Sequence, residues 1–429
     1  MIGDDIHNFA RILLPFNRSL TGIGVRETLE AIRNEIPELE IFSVPSGTQA
    51  FDWEVPLEWQ VNEAYVLDPL GNRILDYKTN NLHLVGYSAP FLGVVGLQEL
   101  QEHLYSLPDQ PTAIPYVTSY YQDRWGLCIS NAEREKLIEG KYRVVIDTIK
   151  FAGNLNYGEI VIPGAIDKEI FLSTYICHPS MANNELSGPS VLTFIAKWLQ
   201  DLPVRKYTYR IIFIPETIGS LVYLSKNLIH LKENVYAGFN LTCIGDDRAY
   251  SFLPSRNGNT VSDKIAQHVL KNLDRDFVIY KWEDRGSDER QYCAPGIDLP
   301  IASIMRTKYA QFPEYHTSLD NLENVVTPSG LFGGFNAVMR CLEALEKDCN
   351  PLIETLGEPQ LGKRGLYPTL STKTSGDSVR TLMNLITWSD GNTSLIDIAN
   401  KLDVPVWDLY PYIDKLEDFN LLKDQRDQH

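Results

Sequence analysis

Between about residues 146 and 350 the chain alternates short apolar runs with amphipathic stretches, and this restricts the fold more than any other feature of the 429 residues. KEIFLSTYI is followed by SGPSVLTFIAKWL, where Val191, Leu192, Ile195, Trp198 and Leu199 recur at helical spacing. RIIFIPE leads into GSLVYLSKNLIHL, YAGFNLTCI into VSDKIAQHVLKNL, and FVIYKW and LPIASIM complete the strand candidates. TPSGLFGGFNAVMRCLEAL closes the segment, with Thr327 as helix cap and Pro328 at the first helical position. Continuously apolar strands need cover on both faces. The alternation therefore predicts an α/β fold: a mixed, mostly parallel sheet covered by helices.

Residues 1–45 read as helical, with Leu29, Ile32 and Ile36 along one face, and are grouped with 146–350 as one domain. Residues 46–145 differ in texture. Short β-type runs (EAYVLD, NLHLVGYS, AIPYVTSYY) are broken by Pro, Gly and Asn, and aromatic residues are dense, among them Trp53, Trp59, Tyr116, Tyr120 and Tyr121. This predicts an inserted β-rich domain whose aromatic side chains fill a small core; a roof over a cleft is compatible with that. The stretch NPLIETLGEPQLGKRGLYPTL, with three Pro and three Gly, reads as a linker. Residues 364–429 then read as a winged helix-turn-helix, from SVRTLMNLITW, SLIDIANKL and PVWDLYPYIDKLEDFNLL.

The net charge of −17 disfavours a polyanion-binding surface over most of the molecule. The third helix of the C-terminal segment carries Asp408, Asp414, Glu417 and Asp418 against Lys415, which opposes phosphate contact. Nucleic acid is therefore not the expected partner; a protein partner through the winged helix suits the charge better. The six cysteines are scattered without a CxxC pair and are expected as thiols in a reducing compartment. The first residues do not read as a secretory signal, and no apolar run reaches the roughly 20 residues that span a bilayer. A cytoplasmic protein without a membrane segment is the expectation.

In a parallel sheet, ligands gather beyond the carboxyl ends of the strands. His178 follows KEIFLSTYIC, Glu216 follows RIIFIP, and His316 lies in the loop after LPIASIM. Two imidazoles and a carboxylate from separate strand ends are the donors of a catalytic zinc site with one open position. Asp288 and Arg290 are candidates for orienting a substrate, with helix capping the plainer role for Asp288. Asp246 and Asp247 follow a strand and are candidates for a substrate amine or a shifted metal, with a solvated turn the plainer role. Asp320 is a candidate partner for an imidazole. Cys177 beside His178 reads as a buried thiol.

Four segments resemble the co-catalytic zinc aminopeptidases: CHPSMANNELSGPSVL, FIPETIGSLVYL, GSDERQYCAPGIDLP and EYHTSLDNLENV, in that order. With NRSLTGIGVRETL and the aromatic β region, the layout resembles a bacterial aminopeptidase-like family with an inserted β domain and a C-terminal winged helix. Such proteins are often labelled as associated with polysaccharide biosynthesis. The resemblance implies a zinc-dependent hydrolase acting on an amide bond in a peptide-like or small-molecule substrate. It implies metal ligands at His178 and His316 and a general base at Glu216. Its bridging Asp falls on Asn184, its second Glu on Thr217 and a further Asp on Thr242. Neutral side chains at these places offset the charge of two zinc ions poorly, so one ion is expected, with Glu216 as base or ligand and Asn184 offering an amide oxygen. The alternatives are a binding protein that has kept the scaffold and lost the chemistry, and a regulator acting through the winged helix.

Overall fold

The computed structural model describes residues 1–366 and 373–425. The linker residues 367–372 and the final winged-helix residues 426–429 lie outside the described residues. The chain divides into two compact units, 1–263 with 277–336, and 264–276 with 337–429.

The first unit is built on an eight-stranded sheet. Its strands are β1 (Glu40–Pro45), β2 (Asn154–Ile162), β3 (Ile166–Tyr175), β4 (Tyr207–Ile214), β5 (Val235–Leu241), β6 (Ser251–Leu253), β7 (Val278–Ile279) and β8 (Ile301–Met305), in the order β1-β2-β4-β3-β5-β8-β6-β7. The four central strands β4, β3, β5 and β8 are parallel, and β1, β2 and β6 pair antiparallel at the flanks. The α/β architecture is thus the mixed, mostly parallel sheet that the alternation predicts. Central strands are apolar on both faces: Ile170, Phe171 and Leu172 of β3 and Ile301, Ala302 and Ile304 of β8 are fully buried.

Helices α1 (Ile2–Leu13), α2 (Ile23–Glu35), α3 (Ser187–Asp201) and α4 (Ile218–Asn234) belong to this unit. The expected faces are largely buried: Leu29 and Ile32 on α2 with Ile36 just past its end, and Val191, Leu192, Ile195 and Leu199 on α3, where Trp198 is half-buried. The helical reading of residues 1–45 runs too far. Helix α2 stops at Glu35, before Pro37, whose ring cannot continue it, and β1 follows.

The aromatic segment carries a four-stranded antiparallel sheet in which Glu58–Leu67 and Lys141–Phe151 are flanked by Arg73–Asp76 and Phe91–Gly96. Its core includes Trp59, Val66, Leu75, Tyr142 and Val144. Two of the runs expected as strands are not strands of this sheet. NLHLVGYS holds a 3-10 turn at Asn81–His83, and AIPYVTSYY makes only isolated bridges. Pro115 supplies no N–H for a ladder, and the backbone around it pairs with another loop, described below.

The second unit contains helices Lys373–Trp388, Leu395–Leu402 and Tyr410–Asp418, with Leu385, Ile398, Leu409 and Leu416 fully buried. Pro351–Ile353 pairs antiparallel with Leu422–Asp424, so the start of the expected linker is a strand of the wing. His268 here is structural: its Nε2 accepts from the Val406 N–H at 2.9 Å, and its Nδ1 lies 2.8 Å from Asn400 Oδ1.

Candidate metal centre

Strand β3 ends at Tyr175, and three residues later His178 sits with its side chain 10% exposed. The chain then makes a π-helical turn over Ala182–Leu186, closed by the Leu186 N–H donating to Met181 O at 3.2 Å, before α3 begins. One extra residue per turn re-aims side chains, a device found often at functional sites. Here it carries Glu185 back onto the imidazole, with Glu185 Oε2 2.9 Å from His178 Nδ1. The other ring nitrogen, Nε2, lies 3.8 Å from Glu216 Oε2.

Glu216 follows β4 at the next strand end. Thr217 after it has φ 64° and ψ −75°, and the Ile218 N–H donates to Glu216 O at 2.8 Å, closing a tight γ-turn. Positive φ is costly for a β-branched residue, and backbone of this kind gathers at active sites. The turn is pinned from both sides. The Thr217 N–H and Ser220 hydroxyl each donate to Asp288 Oδ1 at 2.8 Å, and Arg290 Nη2 donates to Thr217 Oγ1 at 2.6 Å. Burial, reinforced by the negative charge of Asp288, raises the Glu216 carboxyl to about 8. Asp288 is itself raised to about 6, chiefly by burial.

His316 is the third member, on a loop residue with φ 56°. Its ring stacks on Tyr315 at 3.9 Å and lies 5.6 Å, centroid to centroid, from that of His178. Tyr116 meets both imidazoles at 5.2 Å, and its backbone N–H donates to His316 O at 2.9 Å. The Ser318 N–H returns a bond to Ile114 O at 2.9 Å. The aromatic run misread as a strand therefore docks on the His316 loop. Burial lowers both imidazoles to about 3, helped by Arg18 at His178 and by His178 at His316, so both rings are neutral near pH 7.

The remaining candidates are placed as follows. Asn184 Oδ1 accepts from the Tyr175 hydroxyl at 3.1 Å, and its Nδ2 is buried without a partner. Thr242 Oγ1 lies 2.6 Å from the same hydroxyl. Asp320, considered as an imidazole partner, instead accepts the backbone N–H groups of Asn183 and Asn184 at 2.7 and 2.9 Å. Burial raises it to about 7. Asp246 is fully buried and holds Asn183, Arg248 and Thr307, and Asp247 accepts from the Thr327 hydroxyl. Neither lines the cavity beside His178. Asp288 is fully buried, while Arg290 is exposed at the cavity. Cys177 is a buried thiol that accepts from the Glu216 N–H at 3.2 Å.

A cavity of about 300 Å³ opens on this arrangement, lined by His178, Glu216, Arg290, Trp53, Tyr120 and Tyr121 among others. By chemistry the three residues suit one divalent ion, and two of them, His178 and Glu216, are already near ligand spacing. Two neutral imidazoles and a carboxylate are the set of a catalytic zinc site, and its ligand atoms sit about 3.3 Å apart in a tetrahedron. The 3.8 Å between His178 Nε2 and Glu216 Oε2 is near that spacing, whereas His316, its ring 5.6 Å from that of His178, does not lie with both of them in a group of donors within 4.8 Å of one another and does not line the cavity. The donors do not suit two ions, because a bridging position held by Asn184 brings no charge and its amide oxygen is already engaged. Cys177, His178 and Glu185 have ligand atoms within 4.8 Å of one another, yet they meet around Nδ1, which Glu185 already occupies.

Sequence reasoning missed Glu185, Arg18 and Tyr116 as neighbours of the site. Arg18 is fully buried, and its Nε donates to His178 O at 2.9 Å while lying 3.3 Å from Glu185 Oε1. An arginine in a helix-to-helix turn carries no local signal of burial; only a buried counter-charge explains it.

A Clostridium acetobutylicum protein, named a candidate polysaccharide biosynthesis protein with an aminopeptidase-like domain, is 41% identical over 401 residues, 93% of this chain and 91% of its own length. The crystal structure of a candidate peptidase from Clostridium acetobutylicum superposes with a TM-score of 0.92 at 40% identity, covering 98% of this chain and 96% of that one. A zinc aminopeptidase from Bacillus subtilis gives a TM-score of 0.56 at 14% identity over 80% of this chain and 94% of its own, which is a likeness of fold. Residues 350–424 match the winged helix-turn-helix family. With residues 7–348 matching the family described as domain of unknown function DUF4910, the chain belongs to that family, an aminopeptidase-like domain followed by a winged helix.

Proposed function

We propose that the first unit is an aminopeptidase-like hydrolase of an amide bond that works with one zinc ion on His178, Glu216 and His316. The observation that supports it most is the uncharged His178 imidazole 3.8 Å from the Glu216 carboxyl beside one cavity, with the uncharged His316 ring 5.6 Å from that of His178. Zinc bound there supplies Lewis acidity toward a carbonyl oxygen and toward water. Among the described residues Glu216 is the single acidic side chain lining the cavity, so it is the group that would offset the charge of the ion as its carboxylate ligand. Asp288 holds the Thr217 turn that aims Glu216, and Arg290 at the cavity orients the substrate.

The substrate is a peptide-like amide or an amide-bearing small molecule. The name of the Clostridium relative supports an association with polysaccharide biosynthesis. Residues 46–145 act as an inserted domain that roofs the site through Tyr116. The winged helix serves protein docking, and the compartment is the cytoplasm. Metal analysis of purified protein tests the reading: about one zinc per chain, lost in His178→Ala, together with amide turnover. A folded protein that takes up no metal would contradict it. The engaged, neutral Asn184 favours a second reading, a binding protein on the same scaffold. That reading expects amide ligands to bind the zinc-loaded protein without turnover.

A further inference from the structure

We infer that Glu185 is a positioning residue for His178, and that Arg18 is the clamp that keeps Glu185 in place. The inference rests on the metal reading above only in its second readout. A histidine has two usable ring nitrogens, and which one offers a lone pair depends on what the other touches. Glu185 Oε2 lies 2.9 Å from Nδ1, and among the described residues no other carboxylate approaches that nitrogen within ion-pair distance. An ionised carboxylate only accepts, so Nδ1 carries the hydrogen and Nε2 keeps its lone pair, 3.8 Å from Glu216 Oε2.

The ionisation of Glu185 follows from Arg18. Both side chains are fully buried and stand 3.3 Å apart. Burial raises the Glu185 carboxyl to about 8 even against the pull of Arg18, so burial by itself favours the neutral form. A guanidinium does not surrender its proton in a protein, so a neutral Glu185 would strand a buried cation with no counter-charge. The same guanidinium donates from Nε to His178 O at 2.9 Å and from Nη1 to Leu13 O at 2.6 Å. One residue from the turn after α1 thus ties the backbone of His178, the carboxylate that orients its ring, and the end of the N-terminal helix. Since Asn184 is neutral, Glu185 is the acidic side chain that the π-helical turn delivers to this imidazole.

Long-range proton–nitrogen NMR of the metal-free protein, with the His178 signal assigned by its loss in His178→Ala, reads the tautomer directly. The expected result is Nδ1–H; an Nε2–H tautomer overturns the inference whether or not zinc binds. Zinc affinity by chelator competition gives the second readout. Glu185→Ala should weaken it about 10–100-fold, and Glu185→Gln, whose amide oxygen can still accept from Nδ1–H, should hold it within about fivefold. Equal affinity in wild type and a folded Glu185→Ala overturns the proposal. If Glu185→Ala does not fold, the wild-type tautomer alone decides, and Nε2–H there does the same. No zinc binding by wild type, with the Nδ1–H tautomer intact, sinks the metal reading and leaves the positioning role standing.

Discussion

Arg18→Met should cost the first unit about 4 kcal/mol, because it removes one member of a fully buried ion pair and leaves the other charged or forced to take a proton. Breaking such a pair costs about 3–5 kcal/mol. The lost bonds to His178 O and Leu13 O place the value inside that range rather than below it. The unit holds roughly 320 residues, and an unfolding entropy of about 2.1 cal/mol/K per residue converts about 4 kcal/mol into a fall of about 6 °C in its Tm. Differential scanning calorimetry of the chelator-treated protein measures this. The mechanism makes a sharper demand on the double variant. Arg18→Met with Glu185→Gln removes both charges, so its cost should fall at least about 2 kcal/mol short of the sum of the two singles. Additive costs, or a single Arg18→Met worth under about 1 kcal/mol, would refute the buried pair as the source of stability.

Other outcomes follow from the same geometry. In chelator-treated protein, the two depressed imidazoles make stability rise with pH from about 3 up to their unfolded value of 6.5. Glu216 and Asp320, raised to about 8 and about 7, make it fall as they ionise. Above pH 6.5 only the carboxyls still titrate, so Tm should drop between pH 6.5 and 8.5; a flat or rising Tm there would contradict these shifts. Gly188→Ala at the start of α3 would set a Cβ 2.3 Å from Thr174 Oγ1 and 2.7 Å from Leu241 O. The expected cost is about 1–3 kcal/mol, readable as a lower denaturation midpoint. Glu216→Gln should abolish turnover of any amide that the wild type cleaves while leaving Tm within a few degrees. For the winged helix, an electrophoretic shift with duplex DNA should fail even at low salt, as the acidic third helix requires.

The sheet was legible because its strands are apolar on both faces and its helices keep a 3.6-residue period, as β3 and α3 illustrate. Two of the candidate donors could be placed for the same reason: His178 and Glu216 directly follow β3 and β4, while His316 lies in the loop eleven residues past the end of β8. What could not be read depends on contacts distant in sequence. Arg18 lies 167 positions from Glu185, and nothing in NRSLTG marks its side chain as buried. Tyr116 sits in a run whose β-type composition suggested a strand, while its backbone pairs with the His316 loop two hundred residues on. Asp320 reads as an imidazole partner by its spacing from His316, yet the π-helical turn presents two free N–H groups that claim both of its oxygens.

A crystal of zinc-soaked protein, with data collected on both sides of the zinc absorption edge, addresses the central claim most directly. The account predicts one anomalous peak per chain, bonded to His178 Nε2, Glu216 and His316, with Glu185 still on Nδ1. Two peaks bridged through Asn184, or none between the two imidazoles, would contradict it.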